Sequence, residues 1–289
     1  MEEDINILDT FTEVIVNNID KDDLSNFYRN MSDLTYKRKI INPHFSFFST
    51  TAGIYNSKKN MVSIYQNKKS IIFHELLHVA SSKYEDNIRK EGLSINPFGN
   101  KIIGTGINEG YTELLASRLF NIDSEVCYGY QYQLLVAQKL EQILGEEYIK
   151  RYYFNANLPG LIDDLCLYDS KEKVLEFLNS CDYLINSLNQ LSLFFIKKRK
   201  IINNLAIVDD FLLNSFIKKE YYLYKDRKIT REELLEKIFI FSNSLPDCIY
   251  KGESLSTDGD ITIDFLNNIF QEEDKKLIEA FKLIRIKEE

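Results

Sequence analysis

Proline and glycine are scarce in this chain, four and eleven among 289 residues, which excludes a fibrous or disordered architecture. With 44% hydrophobic and 28% charged residues, the composition is that of a helix-rich globular protein, large enough to bury a core as one large domain or two ordinary ones. Cysteine is sparse as well. Cys127, Cys166, Cys181 and Cys248 stand far apart and form no Cys-x-x-Cys pair, so neither a disulfide framework nor a cysteine metal site is indicated, and free buried thiols are expected. No apolar run approaches membrane-spanning length, so no membrane partner is expected. Basic residues are outnumbered, giving a net charge of −8, which argues against a nucleic-acid surface because phosphate binding needs clustered Lys and Arg. The two basic runs, Lys37, Arg38 and Lys39, then Lys197, Lys198, Arg199 and Lys200, are bounded by apolar residues and read as solvated helix ends. The opening MEEDINILDT is acidic where an export signal would be basic and then apolar, so a cytoplasmic protein is expected.

Along the chain, residues 5 to 34 read as one or two amphipathic helices broken near Asp20. From Phe45 to Tyr65 the composition turns to Phe, Thr, Ile and Tyr, with Asn56 to Lys59 between two apolar pieces, which predicts a hairpin or meander and the only strand region of the chain. Lys69 to about Lys83 predicts a buried helix, since Ile71, Ile72, Phe73, Leu76, Leu77, Val79 and Ala80 are too dense for a surface one. Residues 84 to 107 hold Gly92, Pro97, Gly99, Gly104 and Gly106 and read as a long loop, a rim or lid with Gly104 and Gly106 as hinges. Helical periodicity resumes from Asn108 to Phe120 and from Glu125 to about Tyr153. Asn157, Pro159 and Gly160 mark a boundary, so residues 1 to 155 are expected to form the first region and 156 to 289 a helical one, packed with it as one unit or standing apart. Thr230 with Glu233 before Leu234 and Leu235 is a capping box that places a helix start there.

The chain has only three histidines, and two of them stand four apart in His74-Glu75-Leu76-Leu77-His78. On a helix that spacing stacks both imidazoles on one face within reach of one ion, with Glu75 beside the open coordination position. A metal also explains why histidines sit in so apolar a helix, where unpaired polar groups are costly. A catalytic zinc needs a third protein ligand. A third histidine six residues after His78 is absent, because Tyr84 stands there and Ser81 replaces the glycine of that pattern, so a metzincin is excluded. The better candidate lies in Asn108-Glu109-Gly110-Tyr111-Thr112-Glu113, where Glu109 and Glu113 fall on one face of a new helix.

Together, His-Glu-x-x-His and the later Asn-Glu-x-x-x-Glu helix resemble the gluzincin metallopeptidases, of which thermolysin is the familiar example. The resemblance covers about residues 60 to 145. It implies that Glu109 is the third zinc ligand, that Glu113 orients His74 through its far ring nitrogen, and that Asn108 assists. It also implies a zincin-like fold, so the class expected is α+β, predominantly α, with a small sheet before the metal helix. The stretch between His78 and Glu109 is longer than in thermolysin, and nothing after residue 155 matches that enzyme's second domain. No Gly-x-Met-Glu-Asn strand of the aminopeptidase kind precedes the metal helix.

The function expected is zinc-dependent hydrolysis of peptide bonds in a peptide or protein substrate. Glu75 would serve as general base on zinc-bound water and return the proton to the leaving amine. The oxyanion needs a further donor; Tyr130 is the leading candidate, with Tyr128, Tyr132, Tyr111 and His44 behind it. The strand ending at Ile64 and Tyr65 resembles the edge strand over which zinc peptidases lay an extended substrate. The competing reading is a catalytically inactive metal-binding or helical interaction protein on the same fold; the intact Glu75 favours the enzyme. Around Asp258, Gly259 and Asp260 a calcium loop fails for want of carboxylates at Ser254 and Phe265, leaving a turn.

Overall fold

The computed structural model describes residues 2–38, 52–66, 68–85, 88–96, 102–122, 130–188, 198–246 and 263–288. Its amphipathic start folds as α1 (Glu2–Asn18) and α2 (Ser25–Ser32), separated by a 3-10 turn at Lys21–Asp23 that Asp20 caps by accepting from the Asp22 N–H. The break near Asp20 is where the sequence put it. Lys37 and Arg38 do not end a helix. They lie on β1 (Thr35–Arg38), which pairs in parallel with β3 (Met61–Ile64); β3 also pairs antiparallel with β2 (Gly53–Asn56) across the turn formed by Asn56 to Lys59. The hairpin is therefore present, but its second strand is the centre of the sheet, in the order β1-β3-β2. The edge expected at Ile64 is absent there: among the described residues β1 and β2 are the edges of this sheet.

Next comes α3 (Lys69–Ser81), buried around most of its circumference as its apolar density requires. It packs against α2, β2 and β3. Two side chains of α2 secure its C-terminal end: Asn30 donates to the carbonyls of Val79 and Ser82 at 2.7 Å, and Arg29 donates to Ser82 O at 3.0 Å. The Val79 carbonyl also accepts the Ser82 N–H that closes the helix.

The stretch expected to be a long loop is largely a second sheet, an antiparallel meander of β4 (Ser82–Glu85), β5 (Ile88–Glu91) and β6 (Ser94–Asn96). Beta-branched Ile88 and Ile95 and the tight turn at Gly92, φ +52°, make it possible. The density of charged residues between Lys83 and Glu91 concealed it. Gly104 and Gly106 are not free hinges either: both backbone N–H groups donate to Asp182, at 3.0 and 2.8 Å.

From Gly104 the chain enters α4 (Thr105–Phe120), followed by α5 (Gln131–Leu144), α6 (Glu146–Phe154), α7 (Leu158–Leu165) and α8 (Lys171–Leu188). The boundary expected at residues 157 to 160 is a helix start: Asn157 caps α7 by accepting from the Gly160 N–H, with Pro159 in the first turn. Beyond it, α7 packs on α6, and α8 on α4. The compact units accordingly divide at Val208, not at residue 155. Two close approaches make α4 the hub of the first unit. A Cβ at Gly106 would lie 2.5 Å from the Cys181 backbone of α8, and one at Gly110 2.1 Å from the Gln133 carbonyl of α5.

The second unit, Asp209–Glu289, holds the later part of α9 (Lys198–Lys225), α10 (Arg231–Asn243) and α11 (Ile263–Glu288). Its core gathers Ile217, Tyr221, Leu234, Ile238, Leu266 and Ile269. The capping box is present, with Glu233 N donating to Thr230 Oγ1 at 3.2 Å and Thr230 N to Glu233 Oε2 at 2.7 Å. Lys198, Arg199 and Lys200 are exposed in the first turn of α9. The turn expected at Asp258 to Asp260 lies outside the described residues. Among the described residues the chain is predominantly α with two small sheets, and no helix there is long and apolar enough to cross a membrane.

Replacing an exposed helical glycine by alanine stabilises by up to about 1 kcal/mol, but at Gly110 the clash with α5 opposes that gain. Gly110→Ala is expected to cost about 1–3 kcal/mol, the usual penalty of overpacking, read as a lowered urea midpoint. A midpoint at or above the wild-type value would show that α5 is not seated at Gly110.

Candidate metal centre

Helix α3 presents His74 and His78 one turn apart, and both imidazoles are buried, 6% and 4% exposed. Helix α4 runs beside it and turns Glu109 toward them. His74 Nε2 stands 3.1 Å from His78 Nε2 and 3.1 Å from Glu109 Oε2, while His78 Nε2 is 3.5 Å from the same oxygen. One ligand atom from each of the three residues therefore lies within 4.8 Å of the others. The sequence-predicted ligands are brought together as expected.

The far ring nitrogens face outward onto acids. His74 Nδ1 is 3.1 Å from Glu113 Oε2, the partner the sequence proposed. His78 Nδ1 is 3.1 Å from Glu91 Oε1, a buried carboxylate at the end of β5. Asn108 Nδ2 lies 3.5 Å from that same nitrogen, and Asn108 Oδ1 accepts the Leu93 N–H at 2.8 Å. Asn108 thus reaches the site mainly by bracing the backbone after Glu91.

Glu75, on the same helix, lies against Gly53 of β2. A Cβ at Gly53 would come within 2.8 Å of its Cγ and 2.9 Å of its Oε1, so only a glycine leaves room for this carboxylate. Of the tyrosines considered, Tyr130 stacks on the His74 ring at 5.7 Å and 12°. Tyr111 is buried instead in the core of α4 against Tyr153, and Tyr132 is buried on α5. Tyr128 and His44 lie outside the described residues.

Electrostatics follow from burial beside carboxylates. Burial alone opposes a charged His74, but hydrogen bonds to Glu109 and Glu113 and the negative charge of Glu109 and Glu75 outweigh it, raising the group to about 10. His78 is raised for similar reasons, burial being overcome by Glu109 and Glu91. Burial also pushes Glu109 upward, yet the adjacent imidazoles win and hold it well below the usual carboxylate range. Glu75 is raised, chiefly by burial, against the opposing pull of His78 and His74.

This arrangement fits a cation. With both outer N–H groups donated to carboxylates, the inner nitrogens bring two lone pairs and a carboxylate oxygen to one point, which repel unless a proton or a metal ion lies between them. A donor set of two imidazoles and a carboxylate can hold a divalent metal.

Sequence reasoning missed two residues. Glu91 was hidden in a stretch read as loop, and no local pattern marks it. Asp182, which anchors the start of α4 through Gly104 and Gly106, comes from a helix about 75 residues further along the chain. Comparison with protein-family models, with curated proteins and with solved structures finds no match to this chain.

A bound cation must displace the proton that the His74 and His78 pair holds at neutral pH. Metal affinity is therefore expected to rise with pH up to about 10, by about tenfold per unit for each proton displaced. Calorimetry in buffers of different ionisation enthalpy would detect the released proton, and a pH-independent affinity would contradict it. Glu113→Ala is expected to weaken metal binding about ten- to a hundredfold, and Glu109→Ala to weaken it more. A larger loss at Glu113 would mean the two roles are reversed.

Proposed function

We propose that the protein is a zinc-dependent peptidase of gluzincin type, with His74, His78 and Glu109 holding the metal and Glu75 acting as general base and then general acid. The observation that carries this reading is the convergence of both imidazoles and Glu109 on one point, with Glu75 on the same helix turn left outside that group of three. Zinc suits two nitrogen donors and one oxygen donor, and when bound it would polarise a substrate carbonyl and acidify water.

The protein's own residues do the rest. Glu75 is a half-buried carboxylate with raised proton affinity, suited to take a proton from the attacking water at neutral pH and hold it on a carboxylate oxygen. It then delivers that proton to the departing amine nitrogen, so the two transfers balance on one group. Glu113 accepts the His74 Nδ1 proton and keeps Nε2 turned inward. Tyr130, beside His74, is the proposed donor to the developing oxyanion. Strand β2 passes Glu75 at Gly53, and an extended peptide pairing with its outer edge would carry a scissile bond past that carboxylate.

Purified protein is expected to carry one zinc per chain and to cleave members of a mixed peptide library. Glu75→Gln should keep the zinc and lose about 10²–10⁴ in turnover, the usual contribution of a positioned acid or base. Metal content by elemental analysis beside peptide cleavage by mass spectrometry separates the two properties. Wild-type turnover in Glu75→Gln would refute the mechanism.

A further inference from the structure

The carboxylate beneath the second imidazole has no counterpart in the motif that identifies the other site residues. Glu91 is 6% exposed, and its Oε1 lies 3.1 Å from His78 Nδ1. Its Oε2 is held by Arg89, whose Nε donates at 2.8 Å and whose Nη2 also contacts it. One oxygen is thus committed to the guanidinium and the other to the histidine.

Asn108 could be thought to serve His78 instead, since its amide is also near Nδ1. The hydrogen-bond pattern excludes that. Leu93 N–H is only a donor and binds Asn108 Oδ1 at 2.8 Å, which fixes the orientation of the amide and turns its NH₂ toward His78 at 3.5 Å. An NH₂ group cannot accept a proton. If His78 Nδ1 were the bare nitrogen, its lone pair would face the Glu91 carboxylate at 3.1 Å and the Nε2 proton would block the metal position. Only the Nδ1–H tautomer, donating to Glu91, leaves Nε2 available to a metal.

The backbone is arranged to put Glu91 there. Helix α3 passes directly into β4, and β5 returns antiparallel so that Glu91 pairs with Ser82 beside the last turn of α3. Gly92 N–H then donates to Ser81 O at 3.0 Å. At Gly92, φ +52°, any side chain would meet Asn108 Oδ1 at 2.2 Å and the Tyr153 ring at 2.6 Å. The turn after Glu91 is therefore clamped between α3 and α4.

We infer that Glu91 is the positioning residue of His78, so that the β4–β5–β6 insertion serves to place a second carboxylate behind the metal centre and both histidines bind metal with a carboxylate partner. This rests on the proposed ligand set of His74, His78 and Glu109. A carboxylate in this position fixes the tautomer, orients the ring and raises the basicity of the ligating nitrogen.

The test uses the full chain, titrated with zinc against a chelator and, separately, loaded with Co²⁺. Glu91→Gln preserves size and an acceptor oxygen but removes the charge, and it is expected to weaken zinc about ten- to a hundredfold with little change in the thermal midpoint of the metal-free protein. In the proton NMR spectrum of the wild-type Co²⁺ form, two shifted exchangeable N–H signals are expected, one per histidine, with the one from His78 exchanging faster with water in Glu91→Gln. That wild-type spectrum needs no variant to fold. A single exchangeable signal in it, or unchanged zinc affinity in Glu91→Gln, would overturn the role of Glu91 and leave the ligand set standing. Failure of the wild-type chain to bind either ion would overturn the ligand set and the inference together.

Discussion

Two imidazoles can lie buried on one face of α3 because a carboxylate stands at the outer nitrogen of each, Glu113 at His74 and Glu91 at His78, both at 3.1 Å. An N–H buried without an acceptor costs about 1–3 kcal/mol, and two of them among the buried Ile72, Phe73, Leu76, Leu77 and Val79 would be a serious liability. The acids come from opposite sides, one from α4 and one from β5. Satisfying both histidines therefore requires the helix and the second sheet to close on α3 together. Their inner nitrogens are left facing one another with Glu109, a concentration of lone pairs that a proton relieves in part and a divalent cation relieves more fully.

The scaffold holds α3 and α4 in that relation by contacts remote from the ligands. At α3, Asn30 and Arg29 occupy the last carbonyls; at α4, Asp182 takes the N–H groups of Gly104 and Gly106. An acid at a helix N-terminus also meets the positive end of the helix dipole. Small residues then decide how near the layers come: Gly106 admits α8, Gly110 admits α5, and Gly53 leaves room for Glu75. In each case the space a side chain would occupy is filled by a neighbour. An aromatic stack adds to the packing behind α3, with Phe73 on Phe120 at 4.1 Å and Phe11 beside both.

The same burial that makes the polar cluster costly makes it chemically useful. Glu75 and Glu109 are both carboxylates among the same imidazoles, yet their proton affinities move in opposite directions. Glu109 lies against both Nε2 atoms and is held ionised, as a ligand must be; Glu75 lies against Gly53 of β2, and there loss of water dominates and proton affinity rises. Environment alone divides the two acids into a ligand and a proposed base.

What the sequence determined by itself is local and periodic. Spacing of four put His74 and His78 on one face, a second spacing of four did the same for Glu109 and Glu113, apolar density buried α3, and Thr230 with Glu233 started α10, because each signal lies within one or two turns of chain. The Asn56 to Lys59 turn was legible for the same reason. Only the tertiary structure decided that β3 is a central strand, since a strand's neighbours are not written in its own residues and β1 looked like the end of a helix. It alone decided that β4, β5 and β6 pair into a sheet, since the charged residues along them carry no clear strand alternation. It also moved the division between compact units from residue 155 to Val208, because a Pro and Gly next to Asn157 start a helix as readily as they end a domain. Glu91 and Asp182 meet the site across 13 and about 75 residues of chain, and a single carboxylate carries no periodicity; its partner is fixed by packing, which exists only once the chain has folded.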